Sequence, residues 1–411
     1  MLIAVVTTLD TKGAEAAYVA EMLRKQGAET LIVDVGTAGN IPLVADVSRE
    51  QVAAAAGRSL TELRTCRRDE MMAAMGQGAG SILKGLADAG RLQGVLAMGG
   101  NQGTSVAAIA LRQLPIGLPK LIVSTVASGN IRPYIGHKDI TMMFSVSDIL
   151  GGPNTVSRSI LANAAGAVLG MARCAVPLTA PQGRLVIAIT AFGNTDGAVA
   201  RARQELAARG YEVVVFHASG ACGSAMEELI AEGRIHGVLD LTTHELVGDV
   251  FGDDIYAPTA GHRLIAAGQT GIPQVIGPGG LDYFCFGGVE SIPPKYRGRP
   301  THYHNPYNTN VRTTREEMAE LGRVMADRLN ASRGRVVVLI PERGWTFVGS
   351  PGGPLYNPEA NAAFVRALKA GLQPPVELRS LDCTLNDPLY ADTAVELMTE
   401  FMEEAWQFPR P

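Results

Sequence analysis

The sequence is poor in cysteine and in aromatic residues, and its charges nearly balance. The five cysteines, Cys66, Cys174, Cys222, Cys285 and Cys383, lie far apart and form no CxxC pair. This argues against a disulfide framework and favours a reducing compartment. Aromatic residues make up only 5% of the chain, and the formal net charge is −4. Nothing in this composition favours nucleic acid or an acidic membrane surface as a partner.

Long apolar runs are also missing. The opening stretch, MLIAVVTTLDTKG, carries no basic leader and only about five apolar residues, too few for a signal peptide. Residues 160–177 come closest to a run of about 18 apolar residues, but Arg173 interrupts them. We therefore expect a cytoplasmic protein without a membrane-spanning helix.

What the chain does contain is length, glycine and an internal repeat. With 411 residues, 46% of them hydrophobic, it is long enough for two domains of about 200 residues each. Residues 2–35 and residues 185–218 follow one pattern of strand, polar glycine loop, amphipathic helix and second strand. The similarity continues from GSILKGLADAGRLQGVLAMGG, which begins at Gly80, to GSAMEELIAEGRIHGVLDLTT, which begins at Gly223. The first half has an insertion of roughly forty residues, about 36–75.

This alternation of strands and helices predicts an α/β protein. We expect two Rossmann-like domains with parallel βαβ sheets, related by internal duplication and separated by a cleft. The predicted N-terminal nucleotide-binding domain covers residues 1–178. The predicted C-terminal domain covers residues 184–411 and contains a polar cluster and a late glycine–proline loop. The segment PLTAPQG, at residues 177–183, is interpreted as the linker.

The glycine loop of the first half matches neither standard nucleotide fingerprint. Its pattern is Gly99-Gly100-x-x-Gly103-Thr104, and the sequence contains no GxxxxGK[ST] string. A dinucleotide loop needs an acidic residue about twenty positions later, but residues 89–138 contain no Asp or Glu. NAD is therefore not expected.

Three loops of the first half should nevertheless bind phosphate together. TTLDTKG, GGNQGTS and STVASGN each follow a predicted strand, and ligands of parallel sheets bind beyond the carboxyl ends of the strands. Glycine lets backbone N–H groups approach an anion, and the following helix presents its positive end. Lys12 is a candidate counter-charge, and Asp10 could orient it or hold Mg²⁺. The alternative is that these glycines only permit tight strand–helix turns.

The matching loops of the second half are rich in polar side chains. They include His244, Glu245, Asp249, Asp253, Asp254, His302 and His304. A His-x-His pair with Glu245 or Asp249 could bind a transition metal, although hydrogen-bonded histidines without metal are the alternative. His244 or His304 could act as a general base, and Glu342 lies at a strand end. Cys285 lies in apolar surroundings, and no nucleophile with a nearby base is evident.

Several motifs together resemble a known family. TTLDTKG, GGNQGTS, ASGNIRPYIGHKDI, GLDYFCFG, HNPYNTNVRTT and SPGGPLYNPEA, in this order, are similar to motifs of the Tm-1-like ATP-binding family, also called UPF0261. The resemblance implies two Rossmann-like subdomains, dimerisation and ATP bound by the N-terminal loops. It implies that the phosphates contact Gly99, Gly100, Gly103 and Thr104. The implied neighbours are Thr8, Asp10, Lys12, Thr125, Ser128 and Gly129.

The resemblance also sets the functional expectation. Some family members carry a TIM-barrel domain similar to phosphoenolpyruvate-utilising enzymes, and we expect any such barrel to be a separate partner polypeptide here. We expect an ATP-binding protein that can use Mg²⁺ together with the nucleotide. A second small ligand is expected at the inter-domain cleft, and the reaction is left open. One alternative is a two-domain nucleotide-sugar transferase or epimerase. Another is a metal-dependent hydrolase or lyase that uses His244, His302 and His304, with Glu245 beside them.

Overall fold

Each half of the chain builds its own parallel β-sheet. A computed structural model describes residues 1–39, 41, 43–180 and 183–406. The chain divides into two units, Met1–Leu178 and Thr179–Pro411, called unit 1 and unit 2. Residues 181 and 182, in the predicted linker, lie outside the described residues.

Unit 1 contains a five-stranded sheet in which all strand pairs are parallel. The strands are β1 (Leu2–Thr7), β2 (Glu29–Asp34), β3 (Gly94–Gly99), β4 (Lys120–Ser124) and β5 (Thr141–Phe144), in the order β2-β1-β3-β4-β5. Most are short runs of aliphatic residues buried on both faces, as expected for a parallel sheet covered by helices.

Seven α-helices accompany this sheet in the described part of unit 1. They are α1 (Leu9–Lys25), α2 (Arg49–Ala55), α3 (Leu60–Leu63), α4 (Arg68–Asp88), α5 (Asn101–Leu111), α6 (Arg132–Ile135) and α7 (Thr155–Arg173). Alternate residues of β1 separate the two faces: Ala4 and Val6 pack with α2–α5, whereas Ile3 and Val5 pack with α1 and α7. Unit 1 is therefore a three-layer α/β/α sandwich.

Helix α4 is unusually close to its neighbours because three of its glycines lack a side chain where the helices meet. A Cβ atom on Gly76 would lie 2.6 Å from the Ile109 side chain of α5. A Cβ atom on Gly78 would lie 1.9 Å from the Val52 carbonyl oxygen of α2, and one on Gly80 would overlap Gln113. The absence of side chains at these glycines lets the α4 backbone pack directly against α2 and α5.

Unit 2 contains a six-stranded parallel sheet. Its strands are β6 (Val186–Ala191), β7 (Glu212–His217), β8 (Gly237–Asp240), β9 (Gln274–Ile276), β13 (Val336–Pro341) and β14 (Glu377–Leu381), in the order β14-β13-β9-β8-β6-β7. The helices of this unit are α8 (Asp196–Ala208), α9 (Ala221–Ala231), α10 (Glu245–Phe251), α11 (Ala266–Thr270), α12 (Arg315–Asn330), α13 (Pro358–Gly371) and α14 (Pro388–Trp406). Separate hydrophobic clusters cover the two faces of the sheet.

The two sheets share one strand order, which confirms the predicted α/β class with two duplicated parallel-sheet domains. Strands β2-β1-β3-β4 of unit 1 correspond to β7-β6-β8-β9 of unit 2. The inserted segment of unit 1 forms α2, α3 and the first turns of α4. Unit 2 has no counterpart of those turns among its described residues, because α9 matches only the second half of α4.

A second sheet in unit 2 was not expected from the sequence. Strands β10 (Tyr283–Phe286), β11 (Thr301–Asn305) and β12 (Asn308–Arg312) form an antiparallel sheet in the order β10-β12-β11. The segment containing His302 and His304, interpreted as a loop, is therefore largely the edge strand β11 of a hairpin. Its residues are mostly exposed and polar, so no apolar alternation indicated a strand.

The helices of both units are too short or too polar to cross a bilayer. None within the described part of the chain reaches the length and apolar character that a membrane span requires.

Candidate functional site

A cavity of about 430 Å³ opens at the carboxyl ends of β1, β2 and β3 in unit 1, and is called the N-terminal cavity. It is lined by residues of four segments: Thr8, Asp10, Thr11, Lys12, Val35, Gly36, Thr37, Ala38, Arg68, Met71, Met72, Met75, Gly100, Asn101, Gln102, Gly103 and Val106. This edge is where open parallel sheets bind their ligands.

The two adjacent glycines at the end of β3 have different structural roles. A Cβ atom on Gly99 would lie 2.7 Å from the Gly103 backbone, so Gly99 permits close packing of strand and helix. A Cβ atom on Gly100 would meet only the Thr125 hydroxyl, at 3.8 Å, and would otherwise project into open space. Gly100 therefore keeps the N-terminus of α5 accessible from the cavity.

Thr104 lies on the other side of the α5 N-terminus. It is fully buried, and its hydroxyl lies 2.6 Å from the Ser124 hydroxyl at the end of β4. It thus joins the start of α5 to β4 and does not line the cavity.

The charges around the N-terminal cavity are mainly positive. Lys12 and Arg68 contribute cations, and the first turn of α5 contains no acidic residue. Asp10 is the single acidic residue among the lining residues, and its Oδ2 accepts the Ala38 N–H at 3.2 Å. The N-terminus of α5 adds a partial positive charge, since its first N–H groups have no intrahelical acceptor.

A buried carboxylate holds the loop that follows β2. Asp34 Oδ1 accepts the N–H groups of Leu9 and Gly36, at 3.0 and 2.8 Å, and Arg49 Nε lies 3.5 Å from its Oδ2. The Arg49 guanidinium also donates to the Ala38 carbonyl oxygen. Burial raises the pKa of Asp34, although these donors oppose that effect. This wall of the cavity is therefore fixed by contacts within the protein.

Three methionines of α4 form an apolar wall of the N-terminal cavity. Met71, Met72 and Met75 line the cavity together with Val106 of α5. Unbranched methionine side chains adapt to flat aromatic ligands. The N-terminal cavity thus combines an apolar wall with a cationic, N–H-rich turn.

A second cavity, of about 210 Å³, lies at the carboxyl ends of β6 and β7 in unit 2, and is called the C-terminal cavity. Polar and aromatic side chains line it, together with one thiol and one glycine: Phe192, Gly193, Asn194, His217, Tyr256, Tyr283, Cys285, His304, Asn305, Asn308 and Asn310. Three asparagines of the β11–β12 hairpin give it many donors and acceptors.

Three chemically different side chains meet beside the C-terminal cavity: His244, Asp254 and Cys285. One possible ligand atom from each lies within 4.8 Å of the other two, and all three residues are buried. His244 Nδ1 lies 2.6 Å from the Gly280 carbonyl oxygen, and its Nε2 lies 3.3 Å from Asp254 Oδ1. A carbonyl oxygen can only accept, so Nδ1 carries a hydrogen and Nε2 faces the carboxylate.

Gly280 is needed for that arrangement. Its φ is +77°, and a Cβ atom there would lie 2.8 Å from His244 Cβ. A side chain would therefore be strained by the backbone conformation and would push the carbonyl away from the imidazole.

Charges in this cluster affect one another strongly. Burial alone would lower the pKa of His244, but the Asp254 carboxylate and the Cys285 side chain outweigh it, so that the pKa lies well above its ordinary value. Burial raises the pKa of the Cys285 thiol to about 11. Since the thiolate is the reactive form, a buried thiol beside a carboxylate is a poor nucleophile.

Glu245 follows His244 in sequence but belongs to a different network. Its Oε1 accepts the Gly220 and Gly223 N–H groups, and its Oε2 accepts from Arg263 Nε. Arg263 is itself buried and also contacts Asp240 and Glu227. Glu245 is fully buried in this ion-pair network and does not line the C-terminal cavity.

Both units match models of one family. The model described as the N-terminal domain of the Uncharacterised protein family (UPF0261) matches residues 1–177, and that of its C-terminal domain matches residues 184–402. The chain belongs to the UPF0261 family.

Relatives of this UPF0261 chain support the assignment over its whole length. It is 39% identical over 404 residues to a UPF0261 protein of Clostridium tetani, covering 98% of this chain and 99% of that protein. It is 37% identical over 319 residues to the ToMV resistance protein Tm-1(GCR237) of Solanum lycopersicum. That match covers 76% of this chain but only 42% of the tomato protein.

Solved structures add no functional argument. The chain is similar to MurG of Acinetobacter baumannii at 12% sequence identity, with a TM-score of 0.24, over 100% of this chain and 95% of that one. The dimer, the separate barrel partner and the cytoplasmic location expected of this UPF0261 chain stay predictions.

The N-terminal cavity brings together half of the predicted phosphate-site residues. Thr8, Asp10, Lys12, Gly100 and Gly103 line it. Gly99, Thr104, Thr125, Ser128 and Gly129 are not among its lining residues. Of these, Ser128 and Gly129 are exposed, and Thr125 is half-buried beside Gly100.

The predicted catalytic residues of the second half do not all lie at one site. His304 lines the C-terminal cavity and His244 lies beside it, whereas Glu245 and the exposed Glu342 are not among the lining residues. His302 and His304 lie on one strand with ring centroids 6.1 Å apart, and only His304 lines the cavity.

Sequence reasoning missed one wall of each site. In unit 1 these are Arg68 and the α4 methionines, whose only signal was their place in the insertion. In unit 2 it is Cys285, which was interpreted as a buried apolar residue and not connected with His244 and Asp254.

Proposed function

We propose that unit 1 binds ATP in the N-terminal cavity. One observation carries the proposal: the accessible N-terminus of α5 lines the same cavity as Lys12 and Arg68, at the carboxyl edge of the parallel sheet. The volume of about 430 Å³ is within the range typical of small-ligand sites.

The phosphates lie against the glycine turn. Backbone N–H groups from Gly100 to Gly103 and the helix dipole favour an anion there. Lys12, at a kink in the first turn of α1, and Arg68, from the start of α4, supply positive charge to the same cavity. Together these groups suit a polyphosphate better than a single phosphate, because the cations come from separate segments.

The adenine base lies against Met71, Met72 and Met75. A purine is flat and largely apolar on its faces, and thioether side chains contact such rings favourably. Asp10, the one carboxylate of the cavity lining, fits a role as Mg²⁺ ligand, because Mg²⁺ is usually held by one or two carboxylates, substrate phosphates and water.

Calorimetric titration of the full-length protein with Mg²⁺ and either ATP or a UDP-sugar tests this proposal. We expect ATP to bind with a Kd below about 1 mM and to bind more tightly than the UDP-sugar. Failure of ATP to bind below that concentration contradicts it. Tighter binding of the UDP-sugar would favour the nucleotide-sugar alternative instead.

Two glycine variants locate the site. Gly100→Val places two methyl groups in the cavity beside the α5 N-terminus, and we expect it to abolish ATP binding with little change in melting temperature. Gly85→Val is the matched control, because Gly85 is exposed on α4 with no neighbouring atom within 4 Å of its would-be Cβ. Unchanged ATP affinity in Gly100→Val would refute the location.

A further inference from the structure

Unit 2 contains a buried group of side chains with the composition of a metal centre. His244, Asp254 and Cys285 come from three separate segments: the β8–α10 turn, the loop after α10, and β10. Their possible ligand atoms lie within 4.8 Å of one another. We propose that these three side chains bind one Zn²⁺ ion through His244 Nε2, an Asp254 carboxylate oxygen and Cys285 Sγ.

The hydrogen bonds around His244 leave one ring nitrogen for a cation. Nδ1 donates to the Gly280 carbonyl oxygen, so Nε2 is the ring nitrogen left for a metal ion. Nε2 faces the Asp254 carboxylate and the Cys285 sulfur. Without a metal, a proton can bridge the ring and the carboxylate at this point; Zn²⁺ takes the place of that proton and of the thiol proton, because metal ligands bind in their deprotonated forms.

Each of the three ligands is held in place by a neighbour. Metal-binding histidines commonly donate their other ring N–H to a carbonyl, as His244 does to Gly280. Asp254 accepts the N–H groups of Tyr256 and Cys285. Asn310 Nδ2 lies 3.2 Å from Cys285 Sγ and donates to it. These contacts orient the three ligand atoms toward a common centre before an ion binds.

The ligand set favours zinc over other divalent ions. Thiolate and imidazole together select zinc, whereas Mg²⁺ and Ca²⁺ require oxygen ligands. A thiolate and a carboxylate together carry two negative charges, which Zn²⁺ neutralises inside a buried site.

Three protein ligands leave a fourth position, as in catalytic zinc sites. Cys285 is both a ligand and a lining residue of the C-terminal cavity, so the ion lies next to that cavity. A small polar molecule bound among Asn308, Asn310 and His304 would then lie beside the ion. The site does not depend on nucleotide binding in unit 1.

Elemental analysis of the untagged full-length protein, dialysed against Zn²⁺ and then against metal-free buffer, tests the proposal. We expect about one zinc per chain, and its loss in Cys285→Ala and in His244→Ala. Cys383→Ala is the matched control, because Cys383 is also buried and its thiol pKa is also raised to about 11, but it lies in the hydrophobic core of unit 2. This control should keep its zinc.

Cobalt gives a second measurement that does not depend on how well the variants fold. Co²⁺ bound to the unmodified protein should show the near-ultraviolet absorption of a thiolate–cobalt bond, and Zn²⁺ should displace it. Absence of zinc and of this absorption from the unmodified protein would overturn the proposal. Zinc retained at full stoichiometry in Cys285→Ala would overturn it too, since Cys285 would then not be a ligand.

Discussion

The turn after β3 and the turn after β8 occupy the same place in two duplicated sheets, but they use it differently. In the aligned repeat, Gly100 and Asn101 correspond to Thr243 and His244. In unit 1 the turn exposes its backbone to an open cavity, whereas in unit 2 it buries its side chains among other polar groups. The fold thus determines where a site can form, at the carboxyl edge of the sheet, and the side chains at that edge determine its chemistry.

Other positions that line the N-terminal cavity also differ from their counterparts in unit 2. In the register set by the pairing of β1 with β3 and of β6 with β8, Lys12 of the N-terminal cavity corresponds to Asp196 in unit 2, which reverses the charge. Arg68 and the methionine wall belong to the insertion of unit 1 and have no described counterpart in unit 2. Affinity for a nucleotide would therefore require both the glycine turn and the inserted helix turns.

The largest effect is expected from the buried network behind the second turn. Arg263→Met leaves Asp240, Glu245 and Glu227 without their shared cation, so the free energy of unfolding should fall by about 3–5 kcal/mol. Chemical denaturation followed by circular dichroism measures this change. Arg201→Met, which removes an exposed ion pair with Asp392, is the control and should leave the melting temperature nearly unchanged. A small effect of Arg263→Met would mean that the second turn is not held by this network.

The two adjacent glycines of the first turn should differ in stability. Gly99→Ala forces a methyl group against the Gly103 backbone, and we expect a loss of about 1–3 kcal/mol in the free energy of unfolding. Gly100→Ala is its matched control and should change stability by less than about 0.5 kcal/mol. Equal effects of the two variants in thermal unfolding would contradict the separate roles assigned to them.

Cations of the N-terminal cavity should affect ligand affinity more than stability. Lys12→Met and Arg68→Met should each weaken ATP binding about tenfold or more, because each removes a charge-assisted contact to phosphate. Lys84→Met is the control, since Lys84 pairs with Asp88 on the exposed part of α4. Calorimetric titration measures the difference, and a loss of affinity in the control alone would place the phosphates elsewhere.

The smallest effect concerns a contact that both repeats retain. Gln93 Oε1 accepts the Leu2 N–H at 2.7 Å, and in unit 2 His236 Nδ1 accepts the Val186 N–H at 3.0 Å. Burial lowers the pKa of His236, so the folded state binds its proton less readily than the unfolded state does. Stability from this contact is present above the unfolded pKa of about 6.5 and is lost as the pH falls through the folded pKa.

The substitution His236→Gln tests this contact, because it places in unit 2 the glutamine that unit 1 has at the corresponding position, Gln93. The variant keeps an acceptor for Val186 but has no titrating group, so this part of the acid sensitivity of unit 2 should disappear. Melting temperatures measured between about pH 5 and pH 8 compare the variant with the unmodified protein. The same slope in both proteins would show that His236 does not contribute.

The fold could be predicted because its signals are local. Aliphatic strands, glycine turns and amphipathic helices repeat in order, and their alternation is enough to indicate parallel sheets. Thr8 and Gly100 could also be predicted from the sequence, since each lies immediately after a strand.

The rest of each site depends on contacts between distant segments. Met71 and Met75 look like ordinary core positions of a helix until the fold places them at a cavity. Asp254 and Cys285 are 31 residues apart, and a hydrogen bond from the Cys285 backbone N–H to the Asp254 carboxylate brings them together. Thr104 is a predicted site residue that the fold removes from the cavity. Its hydroxyl, at the start of α5, contacts the Ser124 hydroxyl instead.

The glycines of α4 have a consequence for binding thermodynamics. Gly76, Gly78 and Gly80 bring α4 into backbone contact with α5 and α2, and α4 carries the methionine wall. A helix backbone fixed in this way would lose little conformational entropy when a ligand binds, so the entropic cost of ordering would fall on the methionine side chains. The backbone of α4 is thus ordered by helix packing during folding and does not need a ligand.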